Sequence, residues 1–207
     1  MSANAGQGPP SGFWIALPAG WVSLDVDPAT SAASARKLVE AAARGDETVR
    51  ANRAAVERTL VGLTSGAAAS GVSLCACYYE AFEDQLAVQA SLTVAIHALD
   101  QANDPAAMVG DLASGETSRC VEVVDLGAGP VVRRAGRRGQ ALPGTDESLE
   151  FVVRQYYVPV PGTSDRVALL SFASPALVVE DDLVALFDSM AGSFVFTWGE
   201  RPMRGGG

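Results

Sequence analysis

Leu86-Ala-Val-Gln-Ala-Ser-Leu-Thr-Val-Ala-Ile-His97 is the stretch that decides the fold class. Leu86, Val88, Ala90, Leu92, Val94 and Ile96 alternate with Ala87, Gln89, Ser91, Thr93, Ala95 and His97. A period of two sends successive side chains to opposite sides of a strand, so this strand carries one purely apolar face that must be covered. The same stretch is too short and too polar to span a bilayer, which takes ~20 apolar residues. No longer apolar run occurs elsewhere, so direct membrane insertion is not expected.

Working upstream, Val72, Leu74, Ala76 and Tyr78 alternate with Ser73, Cys75, Cys77 and Tyr79 and form a second strand, with Glu80 to Gln85 as the connection. Residues 31–63 are rich in Ala, Arg, Glu and Leu and read as helix. Gly45 suits a helix C-terminus, and Asp46 suits the cap of the next helix. Val49, Arg53, Val56, Leu60 and Leu63 mark a stripe of helical period on that second helix. Thr64 to Gly71 reads as a flexible turn. Phe13 to Pro18 and Trp21 to Val26 read as an opening hairpin, broken by Asp27-Pro28.

Working downstream, Asp104-Pro105 opens a short helix that stops near Gly115, because proline is tolerated at the first helical position. Arg119 to Val124 and Pro130 to Arg134 are strands joined by Leu126-Gly127-Ala128-Gly129, and Arg137 to Asp146 reads as a polar loop. Leu149 to Val158 and Arg166 to Phe172 are further strands. Residues 179–191 form a helix in which Leu183, Leu186, Phe187 and Met190 share one face and Glu180, Asp181 and Asp182 complement the dipole at its start. Phe194 to Trp198 is a last strand. Hairpin spacings dominate, so the expectation is an α+β fold: a mostly antiparallel twisted sheet flanked by helices, in a single domain over residues 12–199. Residues 1–11, small and Pro/Gly-rich, read as a disordered arm, and 200–207 as a flexible tail.

Composition narrows function. Twenty-four acidic residues face 15 basic ones, a net charge of −9, which repels phosphate backbones and anionic lipid and excludes general nucleic-acid binding. Lys37 is the single lysine among those basic residues, as expected of a GC-rich genome. The start, MSANAGQGPPSG, has neither basic residues nor an apolar core, so no secretory signal is read and a cytoplasmic location is expected. Cys75, Cys77 and Cys120 are too few for a disulfide framework. No cofactor is expected: Gly127-Ala-Gly129 runs into Pro130 instead of opening a helix, and Lys37 follows no Gly-rich loop.

Several motifs resemble those of a known family. Phe13, Leu17, Pro18, Gly20 and Trp21 open the chain as Phe-x-x-x-Leu-Pro-x-Gly-Trp. The closing part runs through Gln155-Tyr156-Tyr157-Val158-Pro159-Val160-Pro161-Gly162, Leu169-Leu170-Ser171-Phe172-Ala173-Ser174-Pro175, Leu186-Phe187-Asp188 and Ser193-Phe194-x-x-x-Trp198. Over roughly residues 12–27 and 148–198 this resembles the PsbP-like fold family, in particular its actinobacterial LpqN-like branch, without that branch's lipidation cysteine. The resemblance implies a PsbP-like α/β sandwich. It also implies a non-catalytic binding or scaffolding module, with service to a secretion or envelope-associated system as the matching expectation. Fold by itself does not fix function.

Candidate functional residues are few. Arg133, Arg134, Arg137 and Arg138 form the only dense basic patch in an acidic chain, suited to docking an acidic partner, though a strand end and solvated turn would look the same. Tyr78-Tyr79 and Tyr156-Tyr157 lie on two strands; were these neighbours, Tyr79 and Tyr156 would offer an outward aromatic partner surface. The rival reading is a ligand-binding protein or thiol-dependent enzyme with a cleft near Cys75, Cys77 and His97, joined by Cys120. It requires these groups to converge within ~4–5 Å around a cavity. Cys75 and Cys77 share a strand face, where small buried residues are the ordinary occupants, and no metal site is expected because four ligands are lacking. His97 lies on the polar-leaning face. Glu80, Glu83 and Asp84 read as solvated. A homodimer through an exposed strand edge or helix face is a third reading.

Overall fold

The computed structural model describes residues 8–27, 29–45, 47–81, 87–100, 104–113, 120–141 and 148–199. In chain order the elements are β1 (Gly12–Trp14), β2 (Val22–Leu24), α1 (Ser31–Gly45), α2 (Glu47–Ala51), α3 (Arg53–Ala69), β3 (Val72–Ala81), β4 (Ala87–Ala98), α4 (Pro105–Ala113), β5 (Cys120–Leu126), β6 (Gly129–Ala141), β7 (Ser148–Pro159), β8 (Arg166–Ser174), a 3-10 turn (Leu177–Val179), α5 (Glu180–Gly192) and β9 (Val195–Thr197). Among the described residues seven strands form one sheet in the order β2-β3-β4-β8-β7-β6-β5, every pairing antiparallel. The α+β class expected from the alternating stretches is thus observed.

The register places Ala76, Leu92 and Phe172 in one row and Val94, Leu170 and Tyr156 in the next, all on the same side of the sheet. Each of the six is 0% exposed. Helix α5 supplies the cover: Leu183, Phe187, Met190 and Ala191 are buried. Phe187 stacks on Phe172 with ring centroids 5.0 Å apart, and Tyr156 meets Phe172 edge-on at 5.9 Å. The apolar face of β4 holds over Val88, Ala90, Leu92 and Val94 but not at Ile96, which is 38% exposed; the cover ends before the strand does. Leu86 lies outside the described residues.

The opposite side is covered at its two ends. Near β2 and β3 it meets α1, whose Ser31, Ala35, Val39 and Ala43 recur every four residues and are all buried, together with Leu24, Cys75 and Ala95. Helix α3 packs on α1, with Arg36–Glu57 and Arg53–Glu40 ion pairs at 3.1 and 2.7 Å along the exposed seam. At the far end α4 seats Met108 against Val132 and Val167.

The opening hairpin is corrected. β1 pairs with β9, Phe13 opposite Phe196, whereas β2 pairs with β3. Local spacing suggested a hairpin, but Phe13 and Phe194 stack at 5.5 Å, so the two chain ends close one ribbon over the α5 side of the core. Between them Gly20 stands at φ +85, and a Cβ there would lie 2.9 Å from the Tyr78 ring, which stacks on Trp21. Both constraints demand glycine in the Leu-Pro-x-Gly-Trp motif.

Three further expectations change. The expected turn at 64–71 is helical as far as Ala69, with buried Thr64 donating to the Val61 carbonyl. The expected loop at 137–146 is strand as far as Ala141, because β7 supplies a complete ladder opposite it; 142–147 lie outside the described residues. Residues 8–11, expected in the arm, run beside the last strand: Trp198 donates to the Gly8 carbonyl at 2.9 Å and Ser11 to that of Gly199 at 2.7 Å. Residues 1–7 and 200–207, Asp46, Glu83, Asp84 and the expected helix end near Gly115 also lie outside the described residues.

Truncating Phe187 to Ala leaves a cavity between α5 and the sheet and is expected to cost about 3–5 kcal/mol in urea unfolding. A loss below about 1 kcal/mol would contradict its place at the centre of the core.

Candidate functional site

All four candidate arginines lie within the single thirteen-residue strand β6. Because a strand alternates, Arg133 and Arg137 face α5, while Arg134 and Arg138 face the other side. They therefore do not form one patch. This corrects the reading of a strand end followed by a solvated turn.

On the α5 side the arginines hold internal carboxylates. Arg133 bonds Glu122 of β5 at 2.8 Å and Asp188 of α5 at 3.1 Å. Arg137 bonds Glu180 of α5 through Nε at 3.1 Å and lies 3.5 Å from Glu150. Asp188 also accepts the hydroxyl of Tyr156. The spacing explains the match: four strand residues span about 14 Å and eight helical residues about 12 Å. Asp188 and Glu180 thus meet Arg133 and Arg137 as α5 runs antiparallel to β6. The hydrogen bond and charge of Arg133 hold Glu122 below the usual carboxylate range. Burial, then the bond to Asp188, pushes the Tyr156 phenol up, so it stays a protonated donor. Tyr156 is 0% exposed and belongs to the core, which corrects its place in an outward aromatic surface. Moreover, β4 and β8 stand between β3 and β7, so the two Tyr pairs are not neighbours.

The other side differs. Arg134, Gln155, Ser171, Thr93 and Cys75 lie in one row across five strands, and Gly136, Val153, Ala173, Ser91 and Cys77 in the next. Beyond them Arg138 is opposite Phe151, and Tyr79 is opposite Gln89. Gln89 and Ser91 are exposed although β4 is an interior strand, whereas their neighbours Ala90 and Leu92 are 5% and 0% exposed. This end of the sheet is therefore open floor between α1/α3 and α4. Arg138 is exposed, Arg134 half-buried, and Tyr79 is 52% exposed. Among the described strand positions on this side, Asp125 is the single carboxylate, and it lies at the opposite end by the β5–β6 turn. Four strand spacings, about 19 Å, separate Tyr79 from Arg138.

The thiols and the imidazole do not converge. Cys75 is buried, and that burial together with the neighbouring Cys77 pushes its thiol up to about 11; burial raises Cys77 as well. His97 is exposed about 14 Å along β4 from Thr93, the partner of Cys75. Cys120 stands on the α5 side of the far edge strand, about 24 Å across the sheet, 3.6 Å from Glu122. Among the described residues no three His, Cys, Asp or Glu side chains gather as metal ligands. Glu80 is exposed and accepts the Tyr78 hydroxyl. Gly127-Ala128 is a two-residue turn in which a Cβ on Gly127 would stand 3.1 Å from the Gly192 carbonyl, so the turn abuts the end of α5.

The sequence reading names Glu180 as a charge at the start of a helix and Asp188 as part of the Leu186-Phe187-Asp188 motif, but neither as a partner of the arginines, and it does not name Glu122. One signal for Glu122 existed: a two-residue turn at 127–128 sets Glu122 opposite Arg133 by counting alone. No helix among the described residues is long and apolar enough to cross a membrane. No family model, no curated protein and no solved structure matches the chain.

Two outcomes are expected. A carboxylate whose folded pKa is lowered stabilises the fold above its unfolded value and loses that contribution as pH falls through the folded one. Stability should therefore fall below about pH 4.5, and Glu122→Gln should be less stable at neutral pH yet lose less on acidification; equal acid slopes in urea titrations would contradict this. Under native conditions one thiol, Cys120, should react fast with a maleimide and Cys75 only on unfolding; a fast Cys75 by peptide mapping would contradict its burial.

Proposed function

We propose that this chain is a non-enzymatic protein-interaction or accessory module, PsbP-like in architecture, working in the cytoplasm beside a secretion or envelope-associated system. Its partner is a protein with an acidic surface, docked on the open floor of the sheet through Arg138 and Arg134 at one side and Tyr79 at the other. The observation that carries the reading is the exposure of Gln89 and Ser91 on an interior strand, in a region where Arg138 and Tyr79 are exposed as well. Half-exposed Leu149 at 36% and half-buried Phe151 add apolar contact beside Arg138. Arg133 and Arg137 enter the reading as the struts of α5 instead of as contacts.

The architecture supports the PsbP-like assignment through an antiparallel sheet with helices on both sides, and through the Gly20–Trp21–Tyr78 contact that the opening motif builds. Affinity capture from the native host, with bound proteins quantified by mass spectrometry, tests the function. Wild type is expected to retain an acidic protein that is released by salt and lost with Arg138→Glu/Tyr79→Ala, a variant whose melting temperature is unchanged. Equal capture by both would overturn the assignment of this face.

A further inference from the structure

The seven-stranded sheet has two edges of unequal kind. β2 is a three-residue edge. β5 is a seven-residue edge, Cys-Val-Glu-Val-Val-Asp-Leu, with no proline, no lysine and no bulge; its register with β6 is unbroken from Cys120 to Leu126. Natural edges are blunted by such devices, since an open row of N–H and C=O groups templates another strand. Among the described residues no backbone hydrogen bond is made on the outer side of β5. At its middle, Val123 is 47% exposed.

We infer that two copies of this chain join by antiparallel pairing of β5 with β5 about a two-fold axis through Val123, extending the two sheets into one. The occupant follows from the strand's own pattern. In an antiparallel pair about an axis normal to the sheet, directly opposed residues share a face, so the registers available differ by two residues. Centring on Glu122 or on Asp125 sets that carboxylate opposite its own copy. Centring on Val124 pairs only residues 122–126. Centring on Val123 pairs all seven: Val123 with Val123, Val121 with Asp125, Glu122 with Val124, and Cys120 with Leu126. No carboxylate then opposes another, and Glu122 is already drawn back to Arg133 at 2.8 Å. The exposed Val123 side chains cover each other. The contact is separate from the open floor proposed for the acidic partner.

Light scattering and electron–electron distance measurement decide it. The wild-type chain is expected at twice its 21.4 kDa. Nitroxides on Cys120 in a Cys77→Ser background should report a separation of about 20 Å, the six-residue offset this register imposes. Val123→Lys, at an exposed position, should halve the mass with the melting temperature retained, and Val123→Pro should do the same by removing a ladder donor. A monomeric wild type at high concentration, a dimer indifferent to both substitutions, or a label separation beyond about 40 Å would each overturn the inference.

Discussion

The stack of Phe187 on Phe172 is the contact on which the molecule depends. Phe172 lies on β8, the middle strand of the sheet, flanked in register by Leu92 and Arg154. Seating α5 there buries the apolar rows of β3, β4, β8 and β7 at once and leaves room for the β1–β9 ribbon to close over Phe194. Burial supplies the energy, since each large side chain removed from water contributes about 1.5–3 kcal/mol. Position comes from charge. Arg133–Asp188 and Arg137–Glu180 are half-exposed pairs of small individual worth, but two pairs at matched spacing fix where α5 lies along β6.

Strand alternation divides the arginines of β6 between two tasks. The pair facing α5 is neutralised inside the molecule by Glu122, Asp188, Glu180 and Glu150. The pair facing away borders a sheet floor that the helices do not cover. The face that docks α5 and the face proposed to dock a partner thus share one strand and one residue type, distinguished by parity alone.

Much of this was legible in the sequence where one side of an element is dry. The alternation of β4 and the Leu183–Phe187–Met190 stripe of α5 identified strand, helix and core, because burial on one side imposes a period. Legibility failed where distant partners decide. Gly12 to Trp14 pairs with residues almost a whole chain away, and Arg137 to Ala141 looks like loop until β7 is placed beside it. The Ala-rich end of α3 looked like a turn because Gly66 and Ser70 weaken local preference, while Thr64 beneath α1 holds the helix. In the candidate site the residue types were visible, but their grouping was not. Arg133, Arg134, Arg137 and Arg138 are contiguous in composition yet split by the strand, and Tyr156 reads as an interface residue until Asp188 receives its hydroxyl.

Native-state hydrogen exchange measures the dependence on α5 most directly. If that helix is the lock, its amides should exchange with those of β4, β8 and β7 as one slowest unit, while α1 and α3, which bury little beyond one stripe and Thr64, open earlier. Exchange of α5 as fast as that of α3, with the sheet still protected, would contradict the account.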